Sequence, residues 1–154
     1  MTYILSPSGI RTAQLGVQVN RATATLPQTT TGSIFTVSGG RIVVTSLVGE
    51  VTTILGATVT TLSVVSTPTT GSAVTLATAT AVTSLEVGGH ITLPATVGGA
   101  MVVTNAGGVA LPNALAVLVP IGNIQITTSA SDTGSVSWSL TYIPYDDVAT
   151  VVAA

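Results

Sequence analysis

Charged side chains are scarce in this sequence of 154 residues. They make up 5% of the chain, whereas soluble domains usually carry roughly 25%. There are three arginines, five acidic residues and no lysine, and the net charge is −2. Sequence-independent binding to nucleic acid depends on many basic side chains that neutralise phosphates. A nucleic-acid partner is therefore not expected.

Cysteine is absent and aromatic residues make up only 3% of the chain. The lack of cysteine excludes disulfides and thiolate metal sites. With so few aromatics the chain cannot supply the two aromatic belts of a transmembrane barrel. The most apolar run, residues 109–121, is interrupted by Pro112 and Pro120 and is shorter than the about 18 apolar residues of a spanning helix. No membrane partner is expected.

Hydrophobic residues nevertheless make up 46% of the chain, and threonine and valine are its most conspicuous residues. Disordered segments combine low hydrophobicity with high net charge, so disorder is not expected. A soluble monomer normally mixes charges of both signs over its surface. A chain this apolar and this poor in charge is expected to bury surface against copies of itself or against a larger body.

About ten short stretches rich in β-branched residues alternate with turn signals, and no stretch keeps a helical period. This pattern predicts an all-β fold, an antiparallel β-sandwich or barrel of short strands with no substantial helix. Residues 1–31 are expected to form an extended N-terminal arm with a turn at Ser6–Gly9. Residues 32–147 are expected to form the β-domain, and residues 148–154 a C-terminal tail.

The stretch from Gly32 to Leu55 indicates a short strand, a glycine turn and a long strand. The Gly39-Gly40 pair can take the positive φ angles of a two-residue hairpin turn. From Ile42 to Val48 the second strand is apolar on both faces, which is typical of a strand covered inside a sandwich or between subunits. We therefore expect it to be the central strand of the domain.

The cleanest alternation in the chain runs from Ser135 to Tyr142. Every second residue is large and apolar or aromatic, and the residues between them are serine or threonine, as in a half-buried strand. Two aromatics at this spacing on one strand face are usually buried. The predicted core anchors are Phe35, Trp138, Leu140 and Tyr142.

No group of residues in the sequence has the composition of a catalytic or metal site. His90 is the sole histidine, and Glu86 stands four residues away across a glycine pair. Calcium needs six to eight oxygen ligands, and Asp132, Asp146 and Asp147 do not occur in an acidic loop motif. Phosphate-loop and serine-hydrolase patterns are also absent. We expect no catalytic residue, no metal, no cofactor and no enzymatic activity.

The three arginines have two possible roles of equal weight at this stage. Each could form a bidentate clamp on a carboxylate of a partner subunit, or each could simply be solvated. In a homo-oligomer the acidic counterparts would be Glu50, Glu86, Asp146 and Asp147. The candidate assembly contacts are Arg11, Arg21, Arg41, Glu50, Asp146 and Asp147.

Two motifs carry a resemblance to a known class of protein. One is the stretch from Ser33 to Thr53, SIFTVSGGRIVVTSLVGEVTT, and the other is the stretch from Trp138 to Asp146, WSLTYIPYD. Together with the glycine- and threonine-rich middle, they resemble small structural virion proteins of tailed bacteriophages over about residues 30–147. The chain is most similar to capsid decoration, or cement, proteins of that class.

The resemblance implies a structural role with no catalytic step. Decoration proteins sit on the assembled capsid, often as trimers, and bridge neighbouring capsomers. The implied partners are copies of the chain itself and the major capsid protein. The implied location is the capsid surface of the virion, after synthesis in the host cytoplasm, which agrees with the absence of a visible secretory signal.

A tail, fibre or spike component that binds a host-surface glycan is the alternative. Fibre proteins are also rich in threonine, glycine and valine. Glycan sites usually display exposed aromatic side chains, which distinguishes this hypothesis from the first. The candidates to supply them are Tyr3, Tyr142 and Tyr145.

Overall fold

The computed structural model describes residues 6–105, 107–111 and 116–154. Tyr3, which was considered for glycan binding, lies outside this part. Two antiparallel sheets pack face to face, which confirms the all-β sandwich. The elements are α1 (Pro7–Leu15), β1 (Val17–Thr25), β2 (Thr31–Ser38), β3 (Ile42–Thr53), β4 (Thr61–Pro68), β5 (Val74–Ala81), β6 (His90–Thr92), β7 (Val102–Thr104), β8 (Val117–Val119), β9 (Gly122–Thr128), β10 (Ser135–Pro144) and β11 (Thr150–Ala153).

The strands divide between two sheets of similar size. Sheet A has the order β1-β10-β3-β6-β7, and β8 pairs with the end of β3 that β6 leaves unpaired. Sheet B has the order β11-β2-β9-β4-β5. Strand β3 is central in sheet A, as expected, because β10 pairs along its length and β6 and β8 share its other edge.

The hydrophobic core lies between the two sheets. In β10 the buried positions alternate strictly, so that Trp138, Leu140 and Tyr142 face inward. Phe35 of sheet B is also fully buried in this core. Gly49 is the register partner of Trp138, and a Cβ atom at Gly49 would lie 2.7–3.0 Å from the indole ring. The absence of a side chain at Gly49 therefore makes room for the largest side chain of the core.

Strand β3 is covered on one face only within a single chain. Ile42, Val44 and Leu47 are buried on the inner face. Val43 and Val48 lie on the opposite face and are half-buried. The apolar residues on both faces thus predicted the central position correctly, but within the described part of the chain no second layer fully covers the outer face.

The predicted hairpin at Gly39-Gly40 is wrong. Strand β2 pairs with β9 and β11 in sheet B, whereas β3 belongs to sheet A. The glycine pair is an arch between the sheets, and Gly39 has φ 74°. An arch lets Val37 and Ile42 enter the same core from opposite sheets, which a flat hairpin would not. Gly39 also lies so close to the carbonyl of Val148 that a side chain would not fit.

A helix occupies the segment where a turn and an extended chain were expected. The Ser6 hydroxyl accepts a hydrogen bond from the amide of Gly9 at 3.1 Å, and Pro7 is the first helical residue. Serine at the cap and proline in the first turn both favour helix initiation. None of the residues of α1 is buried, which explains why no helical period was visible. In the described residues no helix is long and apolar enough to cross a bilayer.

The two terminal strands are edges of the two sheets. Strand β1 pairs with β10, and β11, which the sequence pattern did not predict, pairs with β2. The two edges meet where the Arg21 guanidinium donates to the carbonyl of Ala154. At the opposite side a bridge between Thr78 and Ala100 joins β5 to the chain before β7. Both terminal segments therefore pair within their own chain; the division into arm, domain and tail stays a prediction.

Candidate functional site

Three adjacent apolar side chains point outward from sheet A. Val43 of β3 is the register partner of Leu118 in β8 and of Ile143 in β10. Leu118 is 48% exposed and Ile143 is 45% exposed, and Val43 between them is half-buried. We refer to Leu118, Val43 and Ile143 as the outer apolar row. It presents a contiguous apolar surface to solvent across three strands.

Helix α1 extends this apolar surface. Its capping residue Gly16 packs against the Tyr142 backbone, where a Cβ would also lie 3.2 Å from a side-chain carbon of Ile143. The Thr45 hydroxyl donates to the carbonyl of Leu15 at 2.9 Å and holds the end of the helix over β3. Leu15 and Ile10 are exposed. Isolated helices shorter than about 12 residues are marginal in water, so this helix would gain stability from a surface that covers its apolar side chains.

A groove of ≈ 480 Å³ runs beside the row between α1 and the connection from β7 to β8. Six of its ten lining residues carry amide or hydroxyl side chains, and Val48, Leu15 and Leu111 contribute apolar patches. No charged side chain is among the described residues that line it. Its polar lining residues are Gln14, Gln18, Thr45, Ser46, Ser139 and Thr141.

The outer face of sheet B is different because its polar side chains bond to each other. Gln125 of β9 accepts a hydrogen bond from Thr67 at 2.7 Å and donates one to Ser33 at 3.2 Å. Thr36 donates to Asn123 at 3.0 Å. Pairs of this kind stabilise adjacent strands. This face thus has a hydrogen-bonded polar ladder, formed by Ser33, Thr36, Thr67, Asn123 and Gln125.

Arg41 and Asp146 form the ion pair found in the described residues. The Arg41 guanidinium makes two hydrogen bonds to the Asp146 carboxylate, at 2.8 and 3.0 Å, and the Arg41 amide makes a third at 2.7 Å. These bonds hold the pKa of Asp146 down at about 2, and the same pair raises the pKa of Arg41. The Arg41 guanidinium carbon also lies 4.7 Å from the ring centre of Tyr145. The cluster fastens the Gly39-Gly40 arch to the end of β10.

The other predicted assembly contacts are not brought together in one chain. Arg11, Glu50 and Asp147 are exposed, and no hydrogen bond joins their side chains to the rest of the described residues. The Arg21 side chain bonds instead to the Ala154 carbonyl, at 2.9 Å. Two of the six candidates, Arg41 and Asp146, therefore meet each other within the chain, whereas the two roles expected with equal weight for each arginine were contact with a partner subunit and solvation.

The other residues considered for a metal site, His90 and Asp132, lie in the strands and loops of the sandwich and do not form a cluster. His90 is the register partner of Glu50 on sheet A, and its Nδ1 is buried with no hydrogen-bond partner among the residues that the structure describes. Asp132 is 3% exposed, and one carboxylate oxygen accepts the amides of Gly56 and Gly134 at 2.9 and 2.8 Å. It joins two loops at one end of the sandwich. Among the described residues, no group of three or more His, Asp or Glu side chains could hold a metal ion.

The outer apolar row was not predicted from the sequence. One signal for it was present: the stretch from Ile42 to Val48 is apolar on both faces. Ile143 follows Tyr142 and carries an apolar side chain to the outward position. What the sequence could not provide was the pairing of β8 with β3, which places Leu118 beside Val43.

Comparisons with known proteins do not assign the chain to a family. No protein-family model matches the chain, and no curated protein matches it in sequence. A solved structure of the infectious bursal disease virus Gx strain is similar to it with a TM-score of 0.27 and 15% identity. The match covers 89% of this chain and 31% of that one. A likeness this distant carries no argument about function, which must come from the surface of the chain itself.

Proposed function

We propose that this chain is a structural virion protein of a tailed bacteriophage that decorates the capsid as an oligomer, with a trimer as the expected state. It would stabilise the shell by non-covalent contacts with the major capsid protein. Two independent arguments support this. The motifs at 33–53 and 138–146 resemble those of tailed-phage structural proteins, and the surface of the fold is suited to assembly.

The observation that carries the proposal is the outer apolar row beside α1. Exposed large hydrophobic side chains in the described residues outnumber the three arginines and five acidic residues of the whole chain. Scattered exposed apolar residues are normal, but contiguous apolar patches mark interaction sites. An uncharged apolar row can pack against a neighbouring copy, because no charge on it has to be removed from water. We therefore assign the row to contacts between copies.

A decoration protein of this kind would act mechanically. Each subunit contributes a modest binding energy, and linkage into an oligomer makes the later contacts effectively intramolecular. Many such sites together would hold neighbouring capsomers against the internal pressure of packaged DNA. The chain needs no catalytic group for this role.

Binding to capsids tests the proposal directly. Purified protein is incubated with undecorated capsids or, in parallel, with isolated tails, and each mixture is sedimented through a density gradient. We expect saturable binding to capsids with a fixed number of copies per shell, and no binding to tails. Recovery with tails alone would contradict the proposal and favour the alternative.

The alternative, a tail, fibre or spike component that binds a glycan, has one observation in its favour. The groove on sheet A is lined by uncharged amides and hydroxyls, which can hydrogen-bond to sugar hydroxyls. Of the tyrosines considered for sugar stacking, Tyr142 is 5% exposed and is excluded, and Tyr145 is exposed but lies against Arg41. A glycan array with wild type and Gln18→Ala would test it: loss of a specific signal in the variant would support this function.

A further inference from the structure

Strand β1 forms a long edge of sheet A. It has nine residues, contains no proline, and pairs with β10 on one side. In the described part of the chain, no strand pairs with its other side. All of its residues are exposed or half-buried. An unpaired edge presents a row of backbone N–H and C=O groups, which is a template for the addition of another strand.

The other strand edges of the described chain are short or covered. Strands β7 and β8 have three residues each, and β11 has four. The longer edge strand β5 is covered by the segment before β7. There the Thr78 amide donates to the Gly99 carbonyl at 2.8 Å, and the Gly98 amide donates to the Leu76 carbonyl at 3.0 Å. Short and covered edges resist unwanted pairing, and β1 is a long edge that lacks such a cover.

The part of β1 that can accept a partner runs from Val17 to Arg21. Its pairing with β10 is regular over these residues, and the register shifts between Arg21 and Ala24. A bulge bends and twists a strand, so it limits pairing beyond that point. On the other side, Gly16 with φ 100° ends α1. The open edge is therefore a regular segment centred on Val19.

We propose that the β1 edges of two copies of this chain pair antiparallel across a twofold axis and join their A sheets into one continuous sheet. A strand that adds to an edge must itself have an open edge, and among the described residues β1 offers the longest one. A twofold contact brings the same segment of both copies together. The chain thus supplies both halves of the contact, and the occupant of the β1 edge is β1 of a second copy.

The side chains fit the register in which Val19 pairs with Val19 of the second copy. Gln18 then lies opposite Asn20 on the outer face, where both are exposed. Their amides can donate and accept hydrogen bonds across the pair. Arg21 lies opposite Val17 at each end, so the two arginines do not face each other. A register centred on Arg21 would place like charges opposite, which is destabilising.

A contact of this size is weak in dilute solution. The paired segments bury less surface than the about 1,200 Å² of a stable interface, so the contact adds no mass to a dilute oligomer. Where copies are held close together, as on the proposed shell, a higher effective concentration raises the fraction of paired edges. The contact uses the edge of sheet A and not the outer apolar row, so its test does not depend on the trimer.

The chain has no cysteine, so a single introduced thiol reports the pairing. Val19→Cys places this thiol at the centre of the twofold. Paired residues of antiparallel strands have Cα atoms about 4.5–5.5 Å apart, which a disulfide can span. The variant is combined with Leu118→Asp, which removes contacts through the outer apolar row, and is oxidised in concentrated solution.

Val59→Cys in the same background is the control for random collision, because Val59 is 76% exposed and lies outside the edge. We expect Val19→Cys to form a disulfide-linked dimer faster than Val59→Cys on the order of tenfold, since pairing raises the effective concentration of the two thiols. A non-reducing gel measures both rates.

Charge variants test the register. Gln18→Lys with Asn20→Lys places lysines opposite each other, and Gln18→Glu with Asn20→Glu does the same with glutamates. Combined with Val19→Cys, each pair of changes should slow cross-linking on the order of tenfold, because like charges then face each other. A mixture of the two proteins should restore cross-linking between them, since each lysine then faces a glutamate.

The outcomes decide the proposal in either direction. Cross-linking of Val19→Cys no faster than that of Val59→Cys would overturn it and leave the edge to water or to a segment of another protein. Undiminished cross-linking of either charge variant alone would also overturn it. If circular dichroism shows that Val19→Cys does not fold, Gln18→Cys mixed with Asn20→Cys replaces it. That mixture should cross-link faster than either variant alone, and equal rates would contradict the proposal.

Discussion

The outer faces of the two sheets are built from similar residues and have different surfaces. On sheet B the outward side chains bond to each other, as in the chain of contacts from Thr67 through Gln125 to Ser33. On sheet A the outward positions of β3, β8 and β10 include the apolar row, and Leu118 and Ile143 are about half exposed. The polar side chains of the first face pair with each other, and in the proposed assembly a partner would cover the second face.

This difference shows how a nearly uncharged chain can direct its assembly. Charged side chains usually cover the surface that stays in contact with water, but this chain has too few charged residues to cover one of its faces. The polar ladder of sheet B performs the same role with neutral hydrogen bonds. Sheet A presents its apolar residues together, next to a helix with no buried residue. In the proposed assembly, the grouping of apolar side chains in one row selects the outer face of sheet A.

The largest loss of stability is expected for a substitution in the core that both sheets share. Changes on the outer faces can be compared with this loss. Trp138→Ala removes a side chain that is 2% exposed and packed over Gly49. We expect a loss of about 3–5 kcal/mol in the free energy of unfolding, from lost burial and the cavity left behind. Denaturant unfolding measures it. Ser137→Ala, an outward neighbour in the same strand, is the control and should change stability little.

A smaller effect should distinguish the two outer faces. Gln125→Leu removes two side-chain hydrogen bonds from the polar ladder, and we expect a loss of about 1 kcal/mol in the free energy of unfolding. Gln18→Leu on sheet A removes a glutamine that makes no side-chain hydrogen bond to the described residues. It should be nearly neutral. Equal losses from the two variants would show that the ladder does not distinguish the faces.

The smallest effect concerns pH. The pKa of Asp146 in the folded chain is lowered to about 2 by Arg41, whereas an unfolded aspartate titrates near about 3.9. The pair therefore stabilises the fold above pH ~4, and its contribution is lost as the pH falls toward 2. Asp146→Asn should be less stable than wild type at neutral pH, and the difference should vanish in acid. Thermal unfolding across this range, with Asp147→Asn as the control, measures it.

Much of the fold could be predicted because the chain alternates so regularly. The inward residues of β10 are those of the alternating pattern, and β3 is central because its sequence is apolar on both faces. The partner strands of β2 could not be predicted from the sequence, since a glycine pair permits a hairpin and an arch equally well. The helix was missed because its stability signal is the Ser6 cap and not an apolar face. Strand β11 was missed because its short apolar run has few polar residues to set a period.

The candidate site was harder to predict from the sequence than the fold. The sequence indicated that a chain with so few charges would assemble, but it could not say which surface does so. It identified charged residues as contacts, and Arg41 and Asp146 prove to fasten the arch to β10 within the chain. Leu118, Val43 and Ile143 are far apart in sequence, and only the pairing of three strands brings them together. Which outward apolar residues form a surface is a property of topology.

Measuring the mass of the oligomer in solution tests the central claim, that the outer apolar row joins copies of this chain. Native mass spectrometry and light scattering are applied to wild type, to Leu118→Asp and to Val59→Asp, which changes an exposed valine in the link from β3 to β4. We expect a stable oligomer, a trimer, for wild type and Val59→Asp, and a folded monomer for Leu118→Asp. A wild-type chain that is a stable monomer, or a Leu118→Asp variant that keeps its full oligomeric mass, would contradict the account.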